Sequence, residues 1–294
     1  MKENQLAHRK EEKTLGDECQ ELLLSLPKER GWVTLPLYQY QGFWCPTPEV
    51  LQAIMAFQRH FQARDSDIVV ASSPKCGTTW LKALIFAVVN RYRFDIETHP
   101  LVTSKSHKLV PFFDLDLYAN NQVPDFSSFF EPRLFATRPY FFSFLGYNQR
   151  VQLFIAPSEA FDRYCMPRHG CIWSILGSHF GLLERLKRPN SVLFFKYEDM
   201  KIDIVCHLKT LTSFIDYSFT EEEERNSVIE DVAKLCSFET MKKLEINKTG
   251  MFVMNMENKY LFRKAAVGDW VNYFTPEMEE RMSKLIEESL VAQA

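Results

Sequence analysis

The sequence lacks several features that would assign it to a class at once. No apolar run approaches the ~20 residues that a membrane-spanning helix needs, and the N-terminus, MKENQLAHRKEEK, has no apolar core of the secretory-signal kind. The seven cysteines show no Cys-x-x-Cys pair and no spacing typical of zinc ligands. The formal net charge is only -3, which argues against a general nucleic-acid binder. We expect a cytoplasmic protein without metal, nucleic-acid or membrane partner.

The N-terminal half contains the clearest secondary-structure patterns. Thr47 is a good N-cap and Pro48 a good first helical residue, and apolar residues follow at helical spacing. The stretch DSDIVVAS (65–72) predicts a buried strand, and WLKALIFAVVNRY (80–92) predicts the helix behind it. Residues 126–144 are rich in aromatic side chains, and we interpret them as an irregular region.

The C-terminal half adds a second strand and two helix starts. SVLFFKY (191–197) is typical of a strand, and a last helix is expected to begin at Thr275-Pro276. Thr220 and Glu223 form a capping-box pattern ahead of one predicted helix. The apolar face of that helix would include Val228, Val232 and Leu235.

Strand and helix patterns alternate along the chain. This predicts a single α/β domain over residues 35–294, with a mainly parallel sheet flanked by helices. Residues 1–34 are polar and are expected to form an N-terminal arm, loosely held and helical over about the first 30 residues.

The segment SSPKCGTTW (72–80) joins the predicted strand to the predicted helix. Such a loop is a P-loop-type phosphate-binding site, because the first helical amides have no partner within the helix. Gly77 permits close backbone approach, Lys75 adds a positive charge, and Thr78 and Thr79 add hydroxyl donors. The lysine precedes the glycine, so this is not the loop of nucleoside triphosphatases. An ordinary strand–helix turn is the alternative.

Two distant segments support the phosphate-binding interpretation. FRKAAVGDWVNYFT (262–275) brings Arg263 and Lys264 together, and LFFKYEDM (193–200) contains Tyr197 followed by two acids. Taken alone, the first could be a surface basic pair and the second a helix cap. In this order and spacing, with the loop, they resemble the plant-type cytosolic sulfotransferases. The resemblance extends from about residue 35 to the end of the chain and includes LYQYQGFWCP, HKLVPFFDLDLYANN and LCSFETMKKLEINKTG.

The resemblance implies a sulfotransferase that moves a sulfonate group from 3′-phosphoadenylyl sulfate (PAPS) to a hydroxyl of a small molecule. It places the 5′-phosphosulfate at residues 75–80, the adenine near Trp80, Tyr197, Cys236 and Phe238, and the 3′-phosphate at residues 263–265. The residues that it assigns to the donor are Lys75, Cys76, Gly77, Thr78, Thr79, Trp80, Tyr197, Arg263, Lys264 and Ala265. Lys75 would also stabilise the leaving phosphate. Cys76 replaces the family's usual serine, and Ala265 its usual glycine.

The family's catalytic histidine, from a Thr-His-Leu-Pro stretch, is absent. The corresponding residues are Thr137-Arg138-Pro139-Tyr140, one residue short. Arg138 cannot act as the base, because arginine stays protonated in proteins. His107 and His169 are the candidate substitutes, although a lone histidine is more often structural.

The chain is also shortened near residues 138–156. The family has here a further strand ending in an Arg-Asn-Pro-Lys-Asp turn, whose arginine contacts the 3′-phosphate together with a nearby serine. We therefore expect the sheet to lose a central strand with its crossover helix, and the donor to lose two contacts.

Three hypotheses on function remain open. The first is a working sulfotransferase for a small hydrophobic alcohol or phenol, bound near Phe43, Trp44, Phe112 and Phe113. The second is an inactive relative that binds a nucleotide or small molecule. The third is a damaged copy or a mistaken gene model. Val271 replaces the lysine of many dimerising relatives, which favours a monomer.

Overall fold

The computed structural model describes residues 15–30, 36–72, 76–119, 122–138, 152–156, 192–252, 256–262, 264–280 and 283–284. At residues 30, 152–156, 252, 256, 259–260 and 270 only the backbone is described. Among the predicted site residues, Lys75 and Arg263 lie outside the described residues, as do Pro139, Tyr140 and His169.

The first described residues form a helix that packs on the domain, whereas a loosely held arm was expected. Helix α1 covers residues 15–25, and its Leu15 and Cys19 are buried in the same apolar cluster as the following helix. An antiparallel sheet follows, with strands β1 (Lys28–Arg30), β2 (Pro36–Tyr40) and β3 (Phe43–Cys45). Helix α2 (Pro48–His60) starts as predicted, because the Thr47 hydroxyl accepts the Val50 N–H at 3.3 Å.

A four-stranded parallel sheet forms the centre of the fold. Its strands are β4 (Ile68–Ser72), β5 (Leu134–Thr137), β6 (Gln152–Ala156) and β7 (Val192–Phe194), in the order β5-β4-β6-β7. Ile68 and Val70 of β4 belong to one buried cluster, whereas Val69 and Ala71 belong to another. Both faces of the sheet are therefore covered, as in other α/β proteins. The predicted α/β class with a mainly parallel sheet is confirmed.

The remaining elements are short, apart from two helices. Helix α3 (Thr78–Asn90) follows β4, as the sequence predicts, and α4 (Pro100–Thr103), α5 (Ser106–Leu109) and a π-helical turn (Phe113–Leu117) come next. After β7 come α6 (Tyr197–Ile202), α7 (Ile204–Phe214), α8 (Glu221–Arg225), α9 (Val228–Leu235), α10 (Phe238–Lys243), α11 (Glu245–Lys248), β8 (Met251–Phe252), β9 (Met256–Glu257) and α12 (276–280). In the described ranges every helix is too short or too polar to span a bilayer.

The irregular region predicted over residues 126–144 is wrong in part. It contains β5, whose four residues are all buried and pair in parallel with β4 from Ile68↔Leu134 to Ala71↔Thr137. A four-residue run with no alternation gives no local strand signal, and its stability comes from the partner strand. Residues 139–144 lie outside the described range.

The expected loss of a central strand is also wrong. Strand β6 lies between β4 and β7 and pairs with both, from Ile68↔Gln152 to Ser72↔Ala156 on the β4 side. Without it, the backbone groups on one edge of β4 would be buried and unpaired, which is costly.

Two further predictions need correction in their bounds. The strand expected over 191–197 ends at Phe194, and Tyr197 instead begins α6. The capping box is confirmed, since Thr220 and Glu223 exchange both hydrogen bonds, but it opens only α8. Ser227, at φ 58°, separates α8 from α9, so the single predicted helix is two helices.

Candidate functional site

The carboxyl ends of the parallel strands meet at the start of α3. Ser72 ends β4, Thr137 ends β5 beside Ala71, and Ala156 pairs with Ser72 across the sheet. The Ser72 hydroxyl lies 2.6 Å from the Thr78 hydroxyl, so the end of the strand is tied to the first residue of the helix. In an open parallel sheet, ligands bind outside this edge.

Gly77 shapes the turn into α3. It is the N-cap residue, at φ 88° and ψ 17°, which is the left-handed region that favours glycine. Among the described residues no side chain caps the helix at Gly77. A helix N-terminus, with the positive end of the helix dipole, is a favourable position for an anion.

The Tyr197 ring lies against Gly77. A Cβ atom added at Gly77 would meet Tyr197 Cδ2 at 2.8 Å. The same ring contacts Trp80 edge to face, with centroids 5.6 Å apart and an interplanar angle of 77°. Burial raises the pKa of the Tyr197 hydroxyl, with a smaller effect of Glu198. The structure thus brings Tyr197, from a distant segment of the chain, against Gly77 and Trp80.

Replacing Gly77 by alanine should destabilise the protein more than the same change at Gly42. Gly42 has nearly the same conformation, at φ 87°, but nothing within 4 Å of the added Cβ. A left-handed alanine costs about 1–2 kcal/mol at either position, and only Gly77→Ala also pushes against Tyr197. We expect Gly77→Ala to lower the free energy of unfolding by at least ~1 kcal/mol more than Gly42→Ala.

Denaturant unfolding of both variants measures this difference. Adding Tyr197→Ala to Gly77→Ala should remove the excess, because the ring is gone. Equal losses in the two glycine variants would show that the Tyr197 contact carries no energy.

The predicted 3′-phosphate residues are described in part. Lys264 Nζ bonds Asp269 Oδ1 at 2.9 Å, and this bond raises the pKa of the exposed lysine. Ala265 has φ 53°, so alanine adopts here the left-handed conformation that the resemblance associates with glycine. Such a conformation costs alanine about 1–2 kcal/mol. Cys236 is fully buried, which raises the pKa of its thiol, and the Phe238 ring lies 6.2 Å from that of Phe262.

A buried polar cluster lies directly behind the loop. His107 Nε2 is 3.1 Å from Thr79 Oγ1, and His107 Nδ1 is 3.1 Å from Lys82 Nζ. Lys82 is fully buried and its Nζ lies 3.2 Å from the centroid of the Phe112 ring. Burial lowers the pKa of Lys82 well below its usual range, although the Asp116 and Asp114 carboxylates oppose this. Burial, with Lys82 and Lys105, lowers the pKa of His107 as well.

Arg138 lies at the edge of this cluster. Its Nε is 3.5 Å from Oδ2 of the buried Asp114, and about a fifth of its side chain is exposed. Asp116, two residues on, accepts the Phe112 N–H at 2.8 Å. The residue at the place of the family histidine therefore forms part of an ion-paired network at the carboxyl edge of the sheet.

The aromatic residues predicted to line an acceptor site divide into two kinds. Phe113 is core, because it is fully buried and stacks on Phe135 at 4.8 Å. Phe112 is also buried and stacks on His107 at 5.6 Å. Phe43 and Trp44 are partly exposed on β3. The expectation that Phe112 and Phe113 form an open lining is corrected.

The sequence interpretation did not select Lys82, Asp114 or Asp116. A signal was present, since Lys82 interrupts the apolar run WLKALIFAVV, and the two aspartates interrupt FFDLDL. A charged residue inside an apolar helix is usually read as a position on the solvent face. Only the packing shows that Lys82 points inward.

Comparison with known proteins then identifies the family. The sulfotransferase domain model matches residues 65–144 and 140–293. Cytosolic sulfotransferase 15 of Arabidopsis thaliana is 45% identical, over 95% of this chain and 87% of that protein. Flavonol 4'-sulfotransferase of Flaveria chlorifolia is 38% identical, over 95% and 97%.

Solved structures show the same fold. A crystal structure of an Arabidopsis thaliana protein assigned as a steroid sulphotransferase superposes with a TM-score of 0.65 at 28% identity, covering 92% of this chain and 91% of that one. Mouse sulfotransferase SULT7A1, complexed with PAP, gives a TM-score of 0.55 at 20% identity, covering 86% and 95%. The chain belongs to the sulfotransferase family. Within it, the chain is one of the PAPS-dependent, plant-type cytosolic sulfotransferases.

Proposed function

We propose that this chain binds PAPS, or its product 3′,5′-bisphosphoadenosine (PAP), at the start of α3. The observation that carries the proposal is the left-handed Gly77 at the helix N-terminus with the Tyr197 and Trp80 rings beside it. The amides after Gly77 and the Thr78 and Thr79 hydroxyls would bind the 5′-phosphosulfate. Lys75 would add charge at the bridging oxygen, and the two rings would contact the adenine.

The 3′-phosphate would be held by the segment after β9. Lys264 is exposed there beside Asp269, and Ala265 supplies a backbone amide in the left-handed conformation. Arg263 is the second cation of this segment. When the 3′-phosphate binds, Lys264 has to share or break its bond with Asp269. We therefore expect the contacts of this segment with the 3′-phosphate to be weaker than those of the loop with the 5′-phosphosulfate.

The proposed reaction is sulfonate transfer to a hydroxyl of a small hydrophobic molecule. The acceptor oxygen attacks sulfur in line with the bridging oxygen, the S–O bond to the phosphate breaks, and the acceptor proton must leave to a base. Lys75 would stabilise the leaving phosphate. At the place of the family's base, this chain has Arg138 paired with Asp114, and arginine cannot take the proton.

A second candidate function follows from that pair. The chain would bind donor nucleotide or a small molecule and transfer sulfonate slowly or not at all. Two observations favour it: the Arg138–Asp114 pair, and the match of the domain model in two pieces that meet at residues 140–144. The second supports our proposal that the domain, over residues 35–294 behind an arm of residues 1–34, is shortened near 138–156.

We further propose a cytoplasmic monomer. The relatives are named cytosolic sulfotransferases, and Val271, which replaces the lysine of dimerising relatives, is about three-fifths exposed. Light scattering of the purified chain tests the monomer.

Thermal unfolding with and without PAP tests donor binding without knowledge of the acceptor. PAP at about 100 times its dissociation constant should add ~2.7 kcal/mol to the free energy of unfolding, which raises the Tm by roughly 5–10 °C. AMP, which lacks the 3′-phosphate, is the matched ligand and should give a smaller shift. The difference between the two ligands measures the contacts that remain around residues 263–265.

Each other outcome has a distinct meaning. A cooperative transition that PAP does not move would contradict the proposed donor site. The absence of a cooperative transition would favour the hypothesis that the chain is a damaged copy or a mistaken gene model.

A further inference from the structure

Thr79 is held from two sides by neighbouring residues of α5. The Ser106 hydroxyl donates to the Thr79 carbonyl oxygen at 3.0 Å, and His107 Nε2 lies 3.1 Å from the Thr79 hydroxyl. Beyond the imidazole, Lys82 Nζ lies 3.1 Å from His107 Nδ1. Three side chains thus form a continuous hydrogen-bonded path from the interior to the second residue of α3.

The full burial of Lys82 in this path is unusual. Lysine is almost never fully buried unless it is paired, and the adjacent Leu81 and Ala83 show that α3 buries apolar side chains on either side of it. Burying polar and charged groups costs stability, so an aliphatic residue would pack here at lower cost. A role in arranging His107 and Thr79 explains the lysine better than a role in stability.

One order of the hydrogens along the path makes His107 a donor to Thr79. The neutral imidazole of His107 carries one N–H. When Lys82 Nζ donates to Nδ1, 3.1 Å away, the imidazole hydrogen is on Nε2; the reverse order, in which Nδ1–H donates to a neutral amine, is the alternative that the tautomer measurement below tests. In the first order, Nε2–H donates to Thr79 Oγ1. With its oxygen accepting that bond, the Thr79 hydroxyl hydrogen points away from the imidazole.

The geometry points to Lys82 and His107 as positioning residues that hold the Thr79 hydroxyl as a hydrogen-bond donor toward a phosphate oxygen bound at the start of α3. This inference rests on the proposed donor site and adds residues of α3 and α5 that lie behind it. Without His107, the Thr79 hydroxyl loses the hydrogen bond that fixes its orientation. The free protein would then no longer hold the hydroxyl hydrogen toward the start of α3.

The tautomer of His107 is the first measurement, and it needs no ligand. Two-bond ¹H–¹⁵N spectra of protein labelled at histidine nitrogens report which ring nitrogen carries the hydrogen. The His107 signals are identified by their loss in His107→Gln. We expect the Nε2–H form in the wild type and a shift toward Nδ1–H in Lys82→Met. A wild-type His107 in the Nδ1–H or doubly protonated form would overturn the inference.

PAP affinity, measured by calorimetry, is the second measurement. His107→Phe keeps a ring stacked on Phe112 but loses the donor, and should weaken PAP binding about 10-fold or more. His107→Gln keeps an amide donor near the Nε2 position and should stay within about threefold of the wild type. In a Thr79→Val background, His107→Phe should cause no further loss.

The outcomes separate this inference from the proposed function. Equal losses in His107→Phe and His107→Gln, or a full additional loss in the Thr79→Val background, would show a merely structural histidine. If the wild type itself does not bind PAP, the proposed donor site fails, and the tautomer measurement still decides whether Lys82 orders the path.

Discussion

Sulfonate transfer by this chain is expected to be at least ~100-fold slower than transfer by Arabidopsis thaliana cytosolic sulfotransferase 15 when both are assayed with PAPS and a panel of hydrophobic phenols and alcohols. General-base catalysis contributes ~100- to ~10,000-fold to such reactions. The residue at the place of the base is Arg138, which stays protonated and is 3.5 Å from the Asp114 carboxylate. Lys75, which we propose stabilises the leaving phosphate, cannot take the acceptor proton as a cation.

Arg138→His restores an imidazole at that position and should raise the turnover number by ~10-fold or more. Arg138→Gln removes the same charge and breaks the same pair with Asp114, but supplies no base, so it is the matched control. The rate of Arg138→His should fall as the pH drops below about 6.5, because the imidazole acts only when it is neutral.

Two results would contradict this account. Ordinary turnover of any acceptor by the unmodified chain would show that another group serves as the base. A gain in Arg138→Gln equal to that in Arg138→His would show that the guanidinium inhibits by its charge. Grafting the family's missing block into 138–156 should strengthen PAP binding as well, because it returns the arginine and serine contacts.

The strand, the loop and the helix that begin the candidate site were predictable from the sequence. Local signals suffice there: a continuous apolar run from Ile68 to Ala71, a glycine in the turn, and a helical pattern over Thr78–Asn90. The start of α2 was predictable for the same reason, because an N-cap threonine before a proline acts within one turn.

The parts that were not predictable depend on contacts between distant residues. Strand β5 has four residues and β6 five, and each is stabilised by pairing with β4. The inward direction of Lys82 depends on His107 and Phe112, which arrive from another segment of the chain. The spacing of apolar residues along one segment predicts neither the pairing of these strands nor the direction of Lys82. The resemblance to a family suggested which residues bind the donor. It also suggested the loss of a central strand, but β6 lies in that place.

The ion pair between Asp67 and Arg133 provides the largest expected effect on stability. Arg133 Nε and one terminal nitrogen donate to the two carboxylate oxygens of Asp67 at 2.7 and 2.6 Å, and both side chains are almost fully buried. Asp67 directly precedes β4 and Arg133 directly precedes β5, so the pair joins the amino ends of two neighbouring strands. Removing one partner leaves a buried, uncompensated charge, at a cost of about 3–5 kcal/mol.

Asp67→Ala should therefore lower the Tm by roughly 10 °C. The matched control is Arg64→Gln, which breaks the neighbouring ion pair with Glu131, where both side chains are about half exposed; such a pair contributes about 1 kcal/mol at most. Replacing both partners, as Asp67→Leu with Arg133→Met, should recover part of the loss, because neither charge is then left unpaired.

Since the pair lies at the opposite end of the strands from Gly77, the shift of the Tm by PAP should survive in all three variants. A loss in Asp67→Ala no larger than in Arg64→Gln would contradict the buried pair, and loss of the PAP shift alone would show that these strand ends control the donor site.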